Sequence, residues 1–209
     1  MVQVRASAGE RERVEALYAW ERRLQRQGVA RIAGVDEAGR GPLAGPVTAA
    51  AVILPPGLFI AGLNDSKKVP PARRRELAAV IKKESLAWGI GWVSVKEIDC
   101  LNILTASRWA MRRALSALAS RPDHVLIDGM ELPGLKIPQT PLVGGDALSA
   151  SIAAASILAK VARDELMVAY DAVFQGYGLA GNKGYPTREH REALRRLGPC
   201  ALHRRSFKH

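Results

Sequence analysis

A mixed α/β sheet flanked by helices, with a helical appendage at the C-terminal end, is the fold class this sequence predicts. Three observations point to it. Short β-branched or alanine-rich runs crowd the first half, strand-like and helix-like patterns then alternate, and the longest helical run, 147–173, is followed by a glycine-rich break and one more helix. With 209 residues, 48% of them hydrophobic and 24% charged, the chain can bury a sizeable core, which excludes a disordered or collagen-like molecule.

Residues 8–27 set Val14, Leu17, Trp20 and Leu24 at helical spacing and stop at Gly28, an amphipathic helix. Residues 31–36 read as a short strand, 39–45 as a glycine-rich turn, and 47–54 as a second strand. A loop over 58–68 leads to a basic helix, 70–84, beginning at a proline pair. A third strand over 86–95 contains Gly89 and Gly91. One long helix is expected over 96–120, because Ile98, Leu101, Leu104, Trp109, Met111, Leu115 and Leu118 recur at helical intervals before Pro122. Residues 124–127 form a fourth strand closing on Asp128 and Gly129. The stretch 130–143, with Pro133, Pro138 and Pro141, is a connection with at most a short extended piece. In 147–173 the run Ala153, Ala154, Ala155 lets a helix lie close on a sheet, and 187–197 is a final basic helix. Trp88, Trp92 and Trp109 are expected in the core, Cys100 and Cys200 reduced and buried, and His190 at the surface with a hydrogen bond. The organisation expected is an N-terminal helix over 1–29, a central α/β domain over 30–175 and a helical extension over 176–209.

Lys plus Arg number 31 against 20 Asp plus Glu, a net charge of +11. The excess is clustered: Lys67 and Lys68, Arg73 to Arg75, Lys82 and Lys83, Arg112 and Arg113, then Arg195, Arg196, Arg204, Arg205, Lys208 and His209. Clustering of this kind fits a polyanionic partner, nucleic acid, better than a merely solubilising surface. No run approaches the roughly 20 apolar residues of a membrane span. The first residues lack the basic-then-apolar order of a secretory signal, so cytoplasmic residence is expected. The only cysteines, Cys100 and Cys200, are too few for a Cys-rich zinc site.

In a basic protein, acids at the ends of apolar strands are informative, since burying carboxylates without partners costs several kcal/mol each. Asp36 and Glu37 end the first strand. Adjacent strand side chains point to opposite faces, so these two share a site only if the strand bends at Glu37. Asp128 ends the fourth strand, where Asp-Gly alone also reads as a tight turn. Asp146 precedes the long helix, where it also reads as an N-cap; a capping aspartate can still turn its second oxygen to a metal. If Asp36, Glu37, Asp128 and Asp146 converge, their repulsion calls for a cation. All-oxygen ligands favour Mg²⁺ or Mn²⁺, and two such ions roughly 4 Å apart can activate water against a phosphodiester. The pattern therefore suggests a nuclease.

Two other readings compete. The glycines of 39–45 as a nucleotide cradle meet neither standard phosphate-loop spacing, and a strand follows where those motifs need a helix. A non-catalytic nucleic-acid-binding module accounts for the charge equally well and leaves the strand-end acids unexplained.

The motif G-V-D-E-A-G-R-G-P-L-A-G-P-V over 34–47 resembles the signature of the ribonuclease HII, or type 2 ribonuclease H, family. The resemblance continues through L-N-D-S-K-K (63–68), E-I-D-x-L-N-I-L (97–104), L-I-D-G (126–129), G-D-A-L-S-x-S-I-A-A-A-S-I-L-A-K-V-x-R-D (145–164), K-G-Y-x-T-x-x-H (183–190) and H-R-R-S-F (203–207). It implies a ribonuclease H-like fold, a mixed five-stranded sheet flanked by helices with a helical C-terminal extension. It also implies a monomeric, metal-dependent endoribonuclease that cuts the RNA strand of RNA/DNA hybrids and incises DNA at embedded ribonucleotides, leaving 5′-phosphate and 3′-hydroxyl ends. By motif position, Asp36, Glu37, Asp128 and Asp146 are its metal-binding acids, with Mn²⁺ or Mg²⁺ as cofactor. Gly39, Arg40 and Gly41 then line the ribose 2′-hydroxyl, Tyr185 packs on the sugar next to the scissile phosphate, and Lys67, like Lys68 and Arg73 to Arg75, is a candidate phosphate ligand. The chain departs from the family pattern at Gly144, Asn182 and Met130, where Lys, His and Asn are usual. Asp164 matches the family but is read as an ion-pair partner of Lys160 one turn earlier.

Overall fold

Seven consecutive buried residues, Val47–Ile53, carry no polar alternation because they form the inner strand of the antiparallel half of a sheet covered on both faces. The computed structural model describes residues 7–208. Its strands β1 (Ile32–Ala38), β2 (Val47–Ile53), β3 (Ala87–Val93), β4 (His124–Asp128) and β5 (Gln139–Leu142) form one sheet in the order β3-β2-β1-β4-β5. β2 is antiparallel to β1 and β3, whereas β4 runs parallel to both β1 and β5. The sheet is mixed and five-stranded, as expected.

Eight helices stand among the described residues: α1 (Ala8–Leu17), α2 (Ala19–Arg26), α3 (Pro71–Glu84), α4 (Val95–Leu101), α5 (Ile103–Ser116), α6 (Ala150–Val173), α7 (Leu179–Asn182) and α8 (Arg188–Leu197). On one face Val14 of α1, Leu77 and Ile81 of α3 and Ile157 of α6 bury Ala50 and Val52. On the other, Ala110, Met111 and Ala114 of α5 pack on Val35, Ala49 and Ile127. A smaller cluster, Met167, Tyr177, Leu179, Ala193 and Leu202, binds α6 to the C-terminal helices. The start of α6 lies close on β1 at the strand's glycine: a Cβ on Gly34 would stand 2.0 Å from the Ser151 carbonyl carbon, and Ala153, Ala154 and Ala155 further along the helix are fully buried. This contact holds the start of α6 against the strand that ends in Asp36.

Several expectations are corrected. The N-terminal helix divides at Tyr18, and the long helix over 96–120 divides at Asn102, whose φ of +69° lies outside helical geometry. The proline-rich stretch does hold the short extended piece allowed for it, β5, an edge strand where Pro141 is tolerated. Trp88, Trp92 and Trp109 are 38%, 37% and 48% exposed rather than core. On edge strand β3 the opposite face, at Gly89 and Gly91, is pressed onto α5, so period-2 alternation sends both tryptophans the other way. Cys100 is exposed and Cys200 half-buried. Residues 1–6 of the expected N-terminal segment, and His209, lie outside the described residues.

Candidate active site

β1 and β4 run side by side with Val35 opposite Ile127, so the next residue on each strand, Asp36 and Asp128, brings two carboxylates to one end of the sheet. Asp36 is buried, and its Oδ1 accepts the Glu37 N–H at 2.7 Å. Burial, then Glu37, then Asp128, hold its pKa well above the ordinary carboxylate value. Glu37 is also raised, first by burial, with Arg40 opposing and Asp128 adding to the rise. Its pairing with Ala49 is intact, so the two acids share the strand end without a break in the β1–β2 ladder. Asp128 Oδ1 accepts the Gly145 N–H at 2.6 Å, which ties the end of β4 to the 3₁₀ turn Gly145–Ala147 carrying Asp146. Burial, then Asp65 and Asp128, raise Asp146 to about 6. All four sequence-predicted acids thus gather at one end of the central parallel pair.

Asp146 does not cap α6. The 3₁₀ turn displaces it upstream, and Ser149 is the cap, its Oγ accepting the Ile152 N–H at 3.2 Å. Ser149 Oγ in turn donates to Glu21 Oε1 at 2.6 Å, and the Ser151 N–H reaches the same oxygen at 2.9 Å. Lys67 is exposed; burial opposes its charge, but Asp146, Asp65, Asp36 and Asp128 outweigh that and raise its pKa. Asp65 is therefore a fifth acid beside Asp146. It stands in the 63–68 motif, yet its place depends on how the loop between β2 and α3 folds back.

Among the described residues no three of these carboxylates close into a ready-made metal cage. The donor set is nevertheless all oxygen, and Glu37 Oε2 is buried without a hydrogen-bond partner, an acceptor with nothing to accept. These residues fit a hard divalent cation.

The candidate ribose-reading residues lie next to the acids in the chain. Gly39 is buried with φ +97°, and a Cβ there would meet Arg163 Nε at 2.1 Å, so only glycine fits. Arg40 and Gly41 are exposed, and a Cβ on Gly41 would lie 4.0 Å from Tyr185 Cε1, which places loop and ring across a narrow slot. The Tyr185 ring is 40% exposed, with Lys160 Nζ 5.6 Å and Arg163 Cζ 5.9 Å from its centroid. Asn182 steadies this segment: its Nδ2 donates to the Tyr177 carbonyl and its Oδ1 accepts the Gly184 N–H, both at 2.7 Å. Gly144, with φ +67°, opens the turn before Asp146, and nothing lies within 4 Å of where its Cβ would be; Met130 is buried among the core residues under β4.

Two expectations for the basic and histidine residues change. Arg74 is buried, bonded to the carbonyls of Ser66 and Val69 and to Asp164, so it braces the loop instead of meeting phosphates; Asp164 pairs with Lys160 at 2.7 Å as read. His190 is fully buried, its Nδ1 2.8 Å from the Tyr185 carbonyl and its Nε2 3.1 Å from His203 Nε2.

A mixed five-stranded sheet in this order, with helices on both faces and a helical C-terminal extension, defines the ribonuclease H-like fold. The family model described as ribonuclease HII matches residues 33–209. The chain is 98% identical over 206 residues to a ribonuclease HII of Moorella thermoacetica, covering 99% of this chain and all of that one. It is 56% identical to a ribonuclease HII of Syntrophotalea carbinolica, over 94% of each chain. The ribonuclease H2 of Pyrococcus horikoshii superposes with a TM-score of 0.71 at 25% identity, over 85% of this chain and 94% of that one. The chain belongs to the ribonuclease HII family.

Proposed function

We propose that Asp36, Glu37, Asp128 and Asp146 form the hydrolytic centre of this endoribonuclease and that Gly39, Arg40, Gly41 and Tyr185 select the ribose. The chain is a metal-dependent endoribonuclease that cleaves the RNA strand of RNA/DNA hybrids and incises DNA at embedded ribonucleotides, leaving 5′-phosphate and 3′-hydroxyl ends. The observation that carries the assignment of the centre is the convergence of four carboxylates at the β1/β4 end, where burial and the neighbouring acids push up the pKa values of Asp36, Glu37 and Asp146.

In this reading the four acids would supply the oxygen ligands for Mg²⁺ or Mn²⁺. Such ions, when bound, lower the pKa of an attacking water and stabilise the leaving oxygen. The chain's own part is to hold the duplex in line. Lys67 sets a positive charge beside the acids, where a phosphate approaches. The slot between Gly41 and Tyr185 admits a sugar edge, and a 2′-hydroxyl is the group that marks it as ribose. This reading takes the protein as a monomer, because it invokes no residue from a second copy.

The test is cleavage of an end-labelled DNA duplex containing one ribonucleotide, with Mg²⁺, with Mn²⁺ and with chelator, beside an all-DNA control. Metal-dependent incision on the 5′ side of the ribonucleotide, with the control intact, is expected. Incision unaffected by chelator would overturn the metal role.

A further inference from the structure

Two arginines, Arg163 of α6 and Arg204 near the C-terminal end, are fully buried, and every hydrogen bond the structure gives their guanidinium groups goes to a main-chain carbonyl. Arg204 donates to the carbonyls of Gly39 at 2.5 Å, Arg40 at 2.9 Å and Gly45 at 2.8 Å. Arg163 donates to Pro46 and Ala44, both at 3.0 Å, and to Lys183 at 2.9 Å. Their targets are therefore the glycine-rich loop 39–46 and the residue two before Tyr185.

The orientation matters more than the count. In a planar trans peptide the C=O and the following N–H point in opposite directions. Since the Gly39 and Arg40 carbonyls are turned inward onto Arg204, the N–H groups of Arg40 and Gly41 are turned away from it, on residues that are exposed. Two neighbouring amide donors facing solvent across from Tyr185 are what a 2′-hydroxyl oxygen or the adjoining phosphate can use. Arg163 adds the second wall, because it holds the Lys183 carbonyl and also lies 5.9 Å from the Tyr185 ring. Burial lowers the pKa of both groups, Arg204 to about 9, which shows how strongly desolvated these cations are. A lysine in either place keeps the charge but cannot reproduce the planar fork.

We propose that Arg204 and Arg163 are positioning residues for ribose recognition: they turn the loop carbonyls inward so that the Arg40 and Gly41 N–H groups face the substrate, with Tyr185 fixed opposite. This rests on the reading of Gly39, Arg40, Gly41 and Tyr185 as the ribose-selecting residues.

The experiment uses the full chain and two measurements. First, amide spectra of ¹⁵N-labelled wild-type protein are recorded in chelator, with a duplex carrying one ribonucleotide and with the all-DNA duplex. The Arg40 and Gly41 amides are expected to move further with the ribonucleotide. Second, Arg204→Lys is compared with wild type on the single-ribonucleotide duplex, with rates normalised to the folded fraction. A fall in kcat of about 10- to 100-fold at nearly constant KM is expected, as for a small misplacement of a reacting group, with loss of the selective amide response. If the wild-type amides do not distinguish the duplexes, the ribose-reading role of the loop falls and takes the proposal with it. If they do, but folded Arg204→Lys keeps kcat within about twofold and keeps the response, the loop reading stands and the positioning role is overturned. Should Arg204→Lys not fold, Arg163→Lys is judged by the same two readouts.

Discussion

Glu21 and Ser149, 128 positions apart, share a hydrogen bond of 2.6 Å that joins the N-terminal helices to the turn in front of α6. Glu21 is 3% exposed, and the oxygen that accepts from Ser149 also accepts the Ser151 N–H. Asp146 stands three residues before Ser149, so α2 braces the segment that presents one of the four acids. Replacing Glu21 with Ala leaves two buried donors without their acceptor, at about 1–3 kcal/mol for each group left unsatisfied. The expected outcome is a fall in Tm of roughly 2–4 °C for each kcal/mol lost, measured by thermal unfolding with metal present. Glu21→Gln, which keeps an acceptor oxygen, should lose less. Equal stability of Glu21→Ala and wild type would remove the brace.

Asp36→Asn is the direct test of the centre. The substitution removes a charge and adds no bulk, and Asp36 lies where Glu37 and Asp128 crowd it. Cleavage of hybrid and of single-ribonucleotide duplex should be lost with either Mg²⁺ or Mn²⁺, while hybrid binding stays within about tenfold of wild type. Parallel measurements of turnover and of binding by fluorescence anisotropy decide it. Near wild-type turnover would remove Asp36 from the centre.

The four acids were legible because each sits at a point the hydrophobic pattern already marks: the end of 31–36, the end of 124–127, the start of the longest helix. The sheet was legible for the same reason, since β1, β2, β3 and β4 are runs whose apolar residues have few other uses. What escaped depends on contacts between distant segments. Asn102 reverses φ inside an unbroken helical period, and the spacing of Ile98 to Leu118 is the same on either side of it. His190 looks like a surface residue on a basic helix until His203, 13 residues later, folds back to meet it. Arg163 and Arg204 count toward the net charge like any other arginine, and only the fold shows that loop carbonyls consume their donors. Glu21 lies in a helix whose charged residues otherwise face solvent.

Tyr185 presents a 40% exposed ring to the slot and rests against Lys160 and Arg163. In the proposed ribose selection it serves as a flat apolar wall, so the ring and not the hydroxyl is expected to carry the effect. Tyr185→Ala should reduce kcat/KM at an isolated ribonucleotide by roughly 5- to 150-fold, the range for about 1–3 kcal/mol of lost stacking, and Tyr185→Phe should stay within about threefold. Unchanged rates for Tyr185→Ala on every substrate would show that the ring does not touch the sugar.

Asp146 links the centre to stability. Burial, Asp65 and Asp128 raise its pKa from 3.8 to about 6 in the folded chain. A carboxyl whose folded pKa is raised binds its proton more tightly folded than unfolded, so folding loses stability as pH rises from about 4 to about 6, and the loss is complete above that. In metal-free protein, Asp146→Asn mimics the protonated form and should therefore be more stable than wild type at pH 7.5, with the advantage fading toward pH 4. Added Mg²⁺ or Mn²⁺ should shift the balance back toward wild type, because a bound cation favours the charged carboxylate. Thermal unfolding of both proteins at pH 4.5 and 7.5, with chelator and with metal, separates these effects. A wild type more stable than Asp146→Asn in chelator at pH 7.5 would mean that the neighbouring acids do not strain Asp146 in the metal-free state.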